Sequence, residues 1–146
     1  MLGEPINILL VEDEKAHAEI VRRNLESCRI ANHIIHVEDG QAALDYLYDH
    51  GTNKNTGEKP RPHLILLDLR LPKVDGMEVL RRIKADGALR SLPVVILTSS
   101  QRESDLSGAY ANCANSYLVK PVDFEKFSTL LETFGFYWLA WNRYPR

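Results

Sequence analysis

Five short apolar runs, each ending abruptly at a polar or charged residue, are the feature that most limits the folds open to this chain. The runs cover residues 6–11, 33–37, 63–67, 93–97 and 117–119. Most are nearly continuous in apolar residues, which is typical of strands that are buried on both faces. Between them the sequence predicts helices, of which the first is clearly amphipathic and the fourth is short and less apolar. These helices cover residues 15–28, 40–47, 77–85 and 105–111, and a last one begins at Phe124 after an N-cap at Asp123.

A strand followed by a helix therefore occurs five times in succession. Parallel strands need long crossover connections, which helices supply, so this alternation predicts a parallel sheet with helices on both faces. No internal repeat and no second domain is apparent.

Composition fits one globular domain. The chain has 146 residues, of which 45% are apolar and 26% are charged, so a core can form without disulfides or metals. The net charge of −2 lacks the basic excess of a nucleic-acid-binding protein, and no apolar run is long enough to span a membrane. The start of the chain has no signal-peptide features, and Cys28 and Cys113 are expected to be free thiols. We expect a cytoplasmic protein with no nucleic-acid or membrane partner.

Polar side chains stand where four of the five strands end. Glu12 and Asp13 follow the first strand, Asp68 the third, Thr98 the fourth and Lys120 the fifth. The binding crevice of an open parallel sheet lies beyond the carboxyl ends of its strands, so these side chains are predicted to converge on one edge. Any one of them alone would be an ordinary cap or loop residue. The complete set indicates a site.

The chemistry of this set points to phosphoryl transfer. Three neighbouring carboxylates repel one another, and one lysine does not balance their charge. A divalent cation is the natural supplement, and oxygen ligands favour Mg²⁺, with Mn²⁺ as a substitute, over zinc. An aspartate beside such a cation can be a nucleophile that forms an acyl phosphate. Thr98 and Lys120 are then candidates for contacts with the phosphoryl oxygens.

Four motifs make the chain resemble the receiver domain of two-component response regulators over residues 5–134. They are Leu10-Val11-Glu12-Asp13, Leu66-Leu67-Asp68-Leu69-Arg70-Leu71-Pro72 with Asp75-Gly76, Val95-Ile96-Leu97-Thr98-Ser99, and Tyr117-Leu118-Val119-Lys120-Pro121. The intervals between them are also usual for receivers. The resemblance implies a flavodoxin-like α/β fold of (βα)5 topology, a doubly wound parallel five-stranded sheet in the order 2-1-3-4-5. One receiver domain is expected over residues 1–146, with a C-terminal extension at 135–146.

The resemblance also implies a phosphoacceptor and a metal site. Asp68 takes a phosphoryl group from a histidine kinase. Glu12 and Asp13 bind Mg²⁺ together with Asp68 and the main-chain carbonyl of Arg70. The protein is then a stand-alone phosphoacceptor switch rather than an enzyme, and it signals through a changed protein-interaction surface.

The remaining matches concern the switch itself. Thr98 is the implied hydroxyl that moves toward the phosphoryl group, and Tyr117 is the aromatic residue that follows this movement. Lys120 pairs with the phosphoryl oxygens, and the Lys120–Pro121 peptide bond is implied to be cis. A phosphoryl group adds about −1.5 to −2 of charge at this strand end, which is sufficient cause for such a rearrangement.

Some features do not follow from a minimal receiver. The polar segment 50–62 is predicted to be a long loop. Arg70 either places a cation at the mouth of the site or is a solvated loop arginine. The histidines show no metal-binding spacing and are expected to be structural; they are residues 17, 33, 36, 50 and 63.

Three other functions are compatible with parts of the pattern. A Mg²⁺-dependent phosphatase with an aspartate nucleophile needs a second acid two residues later, where this chain has Arg70. A nucleotide- or flavin-binding module needs a phosphate loop after the first strand, where Glu12-Asp13-Glu14 would repel phosphate. An unphosphorylated pseudo-receiver, acting as an adaptor through dimer or partner binding, remains open although all five site residues are present.

Aromatic residues are concentrated near the C-terminus, where eight of the twelve lie between Phe124 and Tyr144. Four apolar residues of the last helix are expected to pack in the core: Phe124, Phe127, Leu130 and Leu131. The supply of aromatics continues beyond what that core needs, and exposed apolar patches mark interfaces. We therefore predict a homodimer through the last helix and its extension, involving Phe134, Tyr137, Trp138 and Trp141.

Three segments resemble the small response regulators of cyanobacterial and other bacterial phytochromes. They are the long 50–62 loop, the Arg-Pro-His-Leu-Ile-Leu-Leu-Asp third strand and the Phe-Tyr-Trp-Leu ending. This resemblance implies a phytochrome as a candidate kinase. No helix-turn-helix follows the receiver motifs, so output through a protein contact is expected.

Overall fold

Strands and helices alternate along the described part of the chain. The computed structural model describes residues 5–28, 32–52 and 60–144, without the side chains of residues 49–52. The strands are β1 (Ile6–Val11), β2 (Asn32–Val37), β3 (Leu64–Leu67), β4 (Val94–Thr98) and β5 (Ser116–Val119). The α-helices are α1 (Lys15–Glu26), α2 (Gly40–Thr52), α3 (Gly76–Ala85), α4 (Glu103–Ala111) and α5 (Phe124–Gly135). A π-helix, Phe136–Trp141, continues directly from α5.

The five strands form one parallel sheet in the order β2-β1-β3-β4-β5, which confirms the predicted fold. β1 pairs with β2 on one side and with β3 on the other, so that Leu10 lies opposite both His36 and Leu66. The chain order reverses between β1 and β3. The edge beyond these two strands is therefore the position at which a doubly wound sheet opens a crevice.

Both faces of the sheet are covered, which explains why the central strands are apolar at every position. All residues of β3 and β4 are buried. Leu9 and Val11 face a core shared with α2, α3 and α4, whereas Ile8 and Leu10 face a second core shared with α1 and α5. This alternation within β1 is the two-residue period of a strand acting between two layers of helices.

The largest boundary difference concerns α2, which extends to Thr52. The sequence predicted a loop over residues 50–62, because the apolar periodicity stops at Leu47 and gives no signal for a further polar turn. Residues 53–59 of that predicted loop lie outside the described residues. Within the described ranges, no helix is both long and apolar enough to cross a membrane.

Two aromatic residues of α5 lie on the opposite side from the one predicted. Phe124 is exposed rather than in the core, because it begins the helix next to Asp123, which accepts hydrogen bonds from the main-chain N–H groups of Glu125 and Lys126. Phe134 is buried, so its assignment to a dimer surface is wrong. It lies seven residues, or about two helical turns, after the core residue Phe127, and therefore on the face of α5 that packs on the sheet.

The π-helix is anchored to the domain on one side and open on the other. Leu139 is buried in the core beneath α5, and the ring of Trp138 stacks on Phe134 at a centroid distance of 6.3 Å. The hydroxyl of Tyr144 donates a hydrogen bond of 2.6 Å to the main-chain carbonyl of Trp138. A methyl group on Gly135 would lie 2.8 Å from the Cys28 sulfur, so glycine permits the close approach of this segment to the end of α1.

Candidate functional site

The backbone places two carboxylates at the reversal edge of the sheet. The N–H group of Asp68 donates a 3.1 Å hydrogen bond to the carbonyl of Val11, and the N–H group of Glu12 donates a bond of the same length to Val37. Each hydrogen bond extends the parallel pairing by one residue beyond the apolar strand. The first polar residue after each strand is therefore held as firmly as the strand itself.

Glu12, Asp13 and Asp68 form the acidic cluster that the sequence predicted. One ligand atom from each lies within 4.8 Å of the others; Glu12 and Asp68 are buried, and Asp13 is exposed. The main chain supports two of them. The N–H group of Glu14 donates to Glu12 Oε2 across 3.1 Å, and the N–H group of Arg70 donates to Asp68 Oδ1 across 3.2 Å.

Lys120 joins the two buried carboxylates. Its Nζ atom lies 2.6 Å from Glu12 Oε1 and 2.8 Å from Asp68 Oδ2, with only 3% of the side chain exposed. Burial alone would lower the pKa of Lys120, but the charges and hydrogen bonds of Asp68 and Glu12 raise it above its ordinary value. The lysine is therefore an ammonium ion next to the candidate phosphoacceptor.

Thr98 and Tyr117 lie on neighbouring strands beside this cluster. Thr98 is fully buried, and its hydroxyl oxygen accepts a 3.4 Å hydrogen bond from the N–H group of Ser100. The hydroxyl of Tyr117 donates to the carbonyl of Ser100 across 3.0 Å. Both side chains thus contact the same residue of the loop between β4 and α4.

The side chain of Arg70 crosses from the loop after β3 to helix α4. Its guanidinium forms an ion pair with Asp105, which also accepts a hydrogen bond from the hydroxyl of Ser100. The arginine is about half exposed. The Arg70 side chain is therefore tied to α4 rather than free in solvent, and none of its described hydrogen bonds or ion pairs reaches Glu12, Asp13 or Asp68.

The donor set fits a hard divalent cation. Burial raises the pKa of Glu12 to about 7; Lys120 opposes this shift and Asp68 adds to it. Three carboxylates face one ammonium, so negative charge remains uncompensated in a place where it is costly. Glu12, Asp13 and Asp68 offer oxygen ligands only, as Mg²⁺ and Mn²⁺ prefer.

His17 is a member of the site that the sequence did not reveal. Its Nδ1 atom lies 3.0 Å from Lys120 Nζ and 3.0 Å from Glu14 Oε2. The residue belongs to the first turn of α1, and its ring meets Phe127 of α5 edge-on at 5.8 Å. The only signal was its position shortly after the Glu12-Asp13 pair, and no spacing rule connects it with Lys120.

The expected cis peptide bond before Pro121 is absent, since no peptide bond in the described ranges is cis. The trans form is intrinsically the more stable one for a bond preceding proline. Lys120 reaches both carboxylates with that form. The cis assignment is therefore wrong for this structure.

Fold and site together define a doubly wound α/β protein with an acidic cluster and a buried lysine at the carboxyl edge of its sheet. A family model for the response regulator receiver domain matches residues 8–132. The chain belongs to this family. Receiver domains bind Mg²⁺ at an acidic pocket, and response regulators of this kind are generally switches rather than enzymes.

Two curated proteins are similar over most of their length. The probable methanogenesis regulatory protein FilR2 of Methanothrix harundinacea (strain 6Ac) is 49% identical over 142 residues, which cover 97% of this chain and 89% of FilR2. The response regulator Rcp1 of Synechocystis sp. (strain ATCC 27184 / PCC 6803 / Kazusa) is 41% identical over 135 residues, which cover 92% of this chain and 90% of Rcp1.

Two solved structures share the fold closely. The Mn²⁺-bound form of Rcp1 has a TM-score of 0.91 at 39% identity and covers 97% of this chain and 100% of that one. The phosphorylated cyanobacterial phytochrome response regulator RcpA has a TM-score of 0.90 at 35% identity, covering 98% and 100%. The protein is therefore homologous to phytochrome response regulators.

Proposed function

We propose that this chain is a stand-alone response regulator that accepts a phosphoryl group on Asp68 from a histidine kinase. The observation that carries the proposal is the position of Asp68, whose Oδ2 atom accepts a hydrogen bond from the buried ammonium of Lys120. Glu12 and Asp13 place further carboxylate oxygens beside it that could bind a cation. The presence of the whole set favours phosphorylation over the alternative of an unphosphorylated adaptor.

The proposed reaction is a displacement at phosphorus. A carboxylate oxygen of Asp68 forms the new O–P bond while the P–N bond to the kinase histidine breaks, and the imidazole keeps the bonding electron pair and takes up a proton. The ammonium of Lys120, already 2.8 Å from this carboxylate, neutralises charge on the transferred group. Thr98 is the proposed switch hydroxyl and Tyr117 the aromatic residue that responds to it.

Glu12, Asp13 and Asp68 would hold Mg²⁺, or Mn²⁺ in its place, with the main-chain carbonyl of Arg70 as a fourth proposed ligand. When bound, the cation screens the phosphoryl oxygens from the carboxylates. The Mn²⁺-bound structure of Rcp1 and the acidic cluster support this assignment.

The test is the mass of the intact protein after incubation with acetyl phosphate, with and without Mg²⁺. We expect one Mg²⁺-dependent phosphoryl addition in the wild type and none in Asp68→Asn. Asp13→Asn serves as a second variant. It keeps the acceptor but loses one proposed ligand, so its phosphorylation should need a higher Mg²⁺ concentration than that of the wild type. No addition to the wild type under any condition would reject the proposal and favour the adaptor function.

The proposed phosphoryl donor is a phytochrome-type histidine kinase. Support comes from the similarity to Rcp1 and to RcpA, which is described as a phytochrome response regulator. FilR2, by contrast, is named a probable methanogenesis regulatory protein. Phosphotransfer profiling against a panel of kinases tests the choice, and a preference for a kinase without a light-sensing module would overturn it.

We further propose that the chain forms a homodimer through the π-helix. Phe136, Tyr137 and Trp141 are all more than half exposed within six residues, and aromatic residues are enriched at the centres of interfaces. Trp138 is half-buried against the domain and contributes less surface. We propose that the whole chain, residues 1–146, is one receiver domain and that the π-helix is its C-terminal extension.

Sedimentation equilibrium tests the dimer, before and after phosphorylation. Trp141→Ser is expected to shift the protein toward monomers. Phe124→Ser, which removes an aromatic residue of similar exposure at the other end of α5, is the control. A wild type that stays monomeric at high micromolar concentration in both states would exclude the dimer. Output would then need another protein partner.

The proposed partners are proteins, and no nucleic-acid partner is proposed. The proposed location is the cytoplasm, which the two free cysteines, Cys28 and Cys113, support.

A further inference from the structure

The ammonium group of Lys120 has three hydrogens and, in the part of the chain that the structure describes, three partners. Glu12 Oε1 lies at 2.6 Å, Asp68 Oδ2 at 2.8 Å and His17 Nδ1 at 3.0 Å. Only 3% of the lysine side chain is exposed, so water cannot replace a missing partner. A buried donor left without an acceptor is costly, particularly when it belongs to a charged group.

This geometry determines which nitrogen of His17 carries the hydrogen. A lysine ammonium can only donate hydrogen bonds, so the Nδ1 atom that faces it must offer a lone pair. The competing contact is with Glu14, whose carboxylate can only accept. Because 60% of the Glu14 side chain is exposed, water can satisfy it, whereas the described residues offer Lys120 no acceptor beyond Glu12, Asp68 and His17. The imidazole is therefore neutral with its hydrogen on Nε2.

Two elements hold the ring in that orientation. α1 carries His17 in its first turn, directly beside the Glu12-Asp13 pair, and Phe127 of α5 meets the ring edge-on at an interplanar angle of 86°. Burial and the charge of Lys120 lower the pKa of His17, which favours the same neutral form.

We propose that His17 is a positioning residue for phosphorylation: as the third acceptor of Lys120, it holds the ammonium in line with Asp68. This inference rests on the proposed function, because the lysine is taken to act on the transferred phosphoryl group. When that group binds one N–H of Lys120, the contact with His17 keeps another N–H directed away from it. The lysine then has fewer orientations, and less ordering is needed during transfer.

Two substitutions of nearly equal shape separate positioning from structure. Asn in place of His17 keeps an acceptor oxygen close to the position of Nδ1, whereas Leu has the same outline and no acceptor. Leucine is the better helix former, so a purely structural effect in α1 would favour His17→Leu. We expect His17→Asn to be phosphorylated by acetyl phosphate and Mg²⁺ at nearly the wild-type rate, and His17→Leu to be slower by about threefold to tenfold.

A nuclear magnetic resonance measurement tests the contact without phosphorylation. In protein labelled with ¹⁵N on histidine, the His17 ring, assigned by its absence from His17→Asn, should show an unprotonated Nδ1 and a protonated Nε2 at neutral pH. A protonated Nδ1 would overturn the inference.

The rates distinguish the two possible failures. Equal rates for His17→Leu and a wild type that is phosphorylated would overturn the positioning role alone. A wild type that is never phosphorylated would overturn the proposed function and this role with it.

Discussion

The hydroxyl of Tyr117 donates a 3.0 Å hydrogen bond to the main-chain carbonyl of Ser100. Ser100 lies two residues after the switch candidate Thr98, and its N–H group contacts the Thr98 hydroxyl. A tyrosine that is only half-buried is therefore tied to the loop that must move if Thr98 responds to phosphorylation. The position of this ring and the position of the loop are coupled through one hydrogen bond.

Tyr117→Phe should lower the free energy of unfolding by about 0.5–1.5 kcal/mol, the net value of one hydrogen bond. Urea unfolding measures the change. Because the ring itself is kept, its packing against the core near α4 should be preserved. An unchanged free energy of unfolding would show that water replaces the carbonyl at no cost.

Removing Asp105 from its ion pair with Arg70 should lower the free energy of unfolding more than removing Arg70. Arg70 is half exposed, so Arg70→Ala should cost no more than about 1 kcal/mol of unfolding free energy. Asp105 also accepts from Ser100 and lies in the first turn of α4, so Asp105→Ala should cost about 1–2 kcal/mol. Urea unfolding of the two single variants measures their costs, and the double variant gives the coupling energy between the two side chains. Equal costs for the two variants would contradict the second role of Asp105.

Lys120→Met should destabilise the protein and make its melting temperature more dependent on Mg²⁺ than that of the wild type. Removal of the ammonium leaves Glu12 and Asp68 buried without a counter-charge, which typically costs about 3–5 kcal/mol. A divalent cation replaces that charge, so the increase in melting temperature with Mg²⁺ should exceed that of the wild type.

A second lysine provides the control for this experiment. Lys84 donates to the main-chain carbonyls of Arg90 and Leu92 and forms no described contact with a carboxylate. Lys84→Met should therefore show the wild-type response to Mg²⁺. A Lys120→Met protein with that same response would argue against cation binding by the acidic cluster.

Gly76→Ala should prevent folding or destabilise the protein by more than about 3 kcal/mol, as strong overpacking does. An added Cβ would lie 2.1 Å from the carbonyl oxygen of Asp68 and 2.6 Å from the Cα atom of Leu69, and backbone atoms cannot move aside. At Gly87 nothing lies within 4 Å of the added atom, so Gly87→Ala should stay near wild-type stability. Comparable melting temperatures for both variants would refute the close approach at Gly76.

The phenol of Tyr144 should lose its proton at a higher pH than an ordinary tyrosine in an alkaline titration. Burial raises the pKa of Tyr144 to about 12, from an ordinary value of 10.0. The folded state holds this proton more tightly than the unfolded state. The associated stabilisation is therefore complete below pH 10 and is lost as the pH rises through 12.

Tyrosinate absorbance of the wild type minus that of Tyr144→Phe isolates this step. The difference should be centred near pH 12 in the folded protein and near the ordinary value in urea. A difference centred at the ordinary value in both conditions would contradict the burial of the phenol.

Much of the site follows from the sequence because a parallel sheet brings the ends of its strands together. Glu12, Asp68 and Lys120 each directly follow an apolar strand, and this rule alone predicts that they meet. His17 escaped prediction since its contact depends on how the first turn of α1 is placed relative to β5. Sequence spacing within one element carries no information about that placement.

The C-terminal aromatics show a second limit. Phe124 and Phe134 both occur in a strongly apolar helix, and composition does not reveal which face meets the sheet. The structure resolves this because Phe134 continues the row of Phe127, whereas Phe124 begins the helix beside its cap. The extension of 135–146 could be recognised as unusual, but the π-helical geometry of Phe136–Trp141 has no known signal in this sequence.

The contrast between the two tryptophans gives the protein two separate fluorophores. Trp138 lies against Phe134 and Tyr144, shielded by the domain, whereas Trp141 is 72% exposed. Their emission should differ in wavelength, and iodide should quench Trp141 first. A Trp141→Phe protein then carries one optical probe of the anchored side of the π-helix. Trp138→Phe leaves a probe of its open side, and the two together report separately on what happens within and outside the domain.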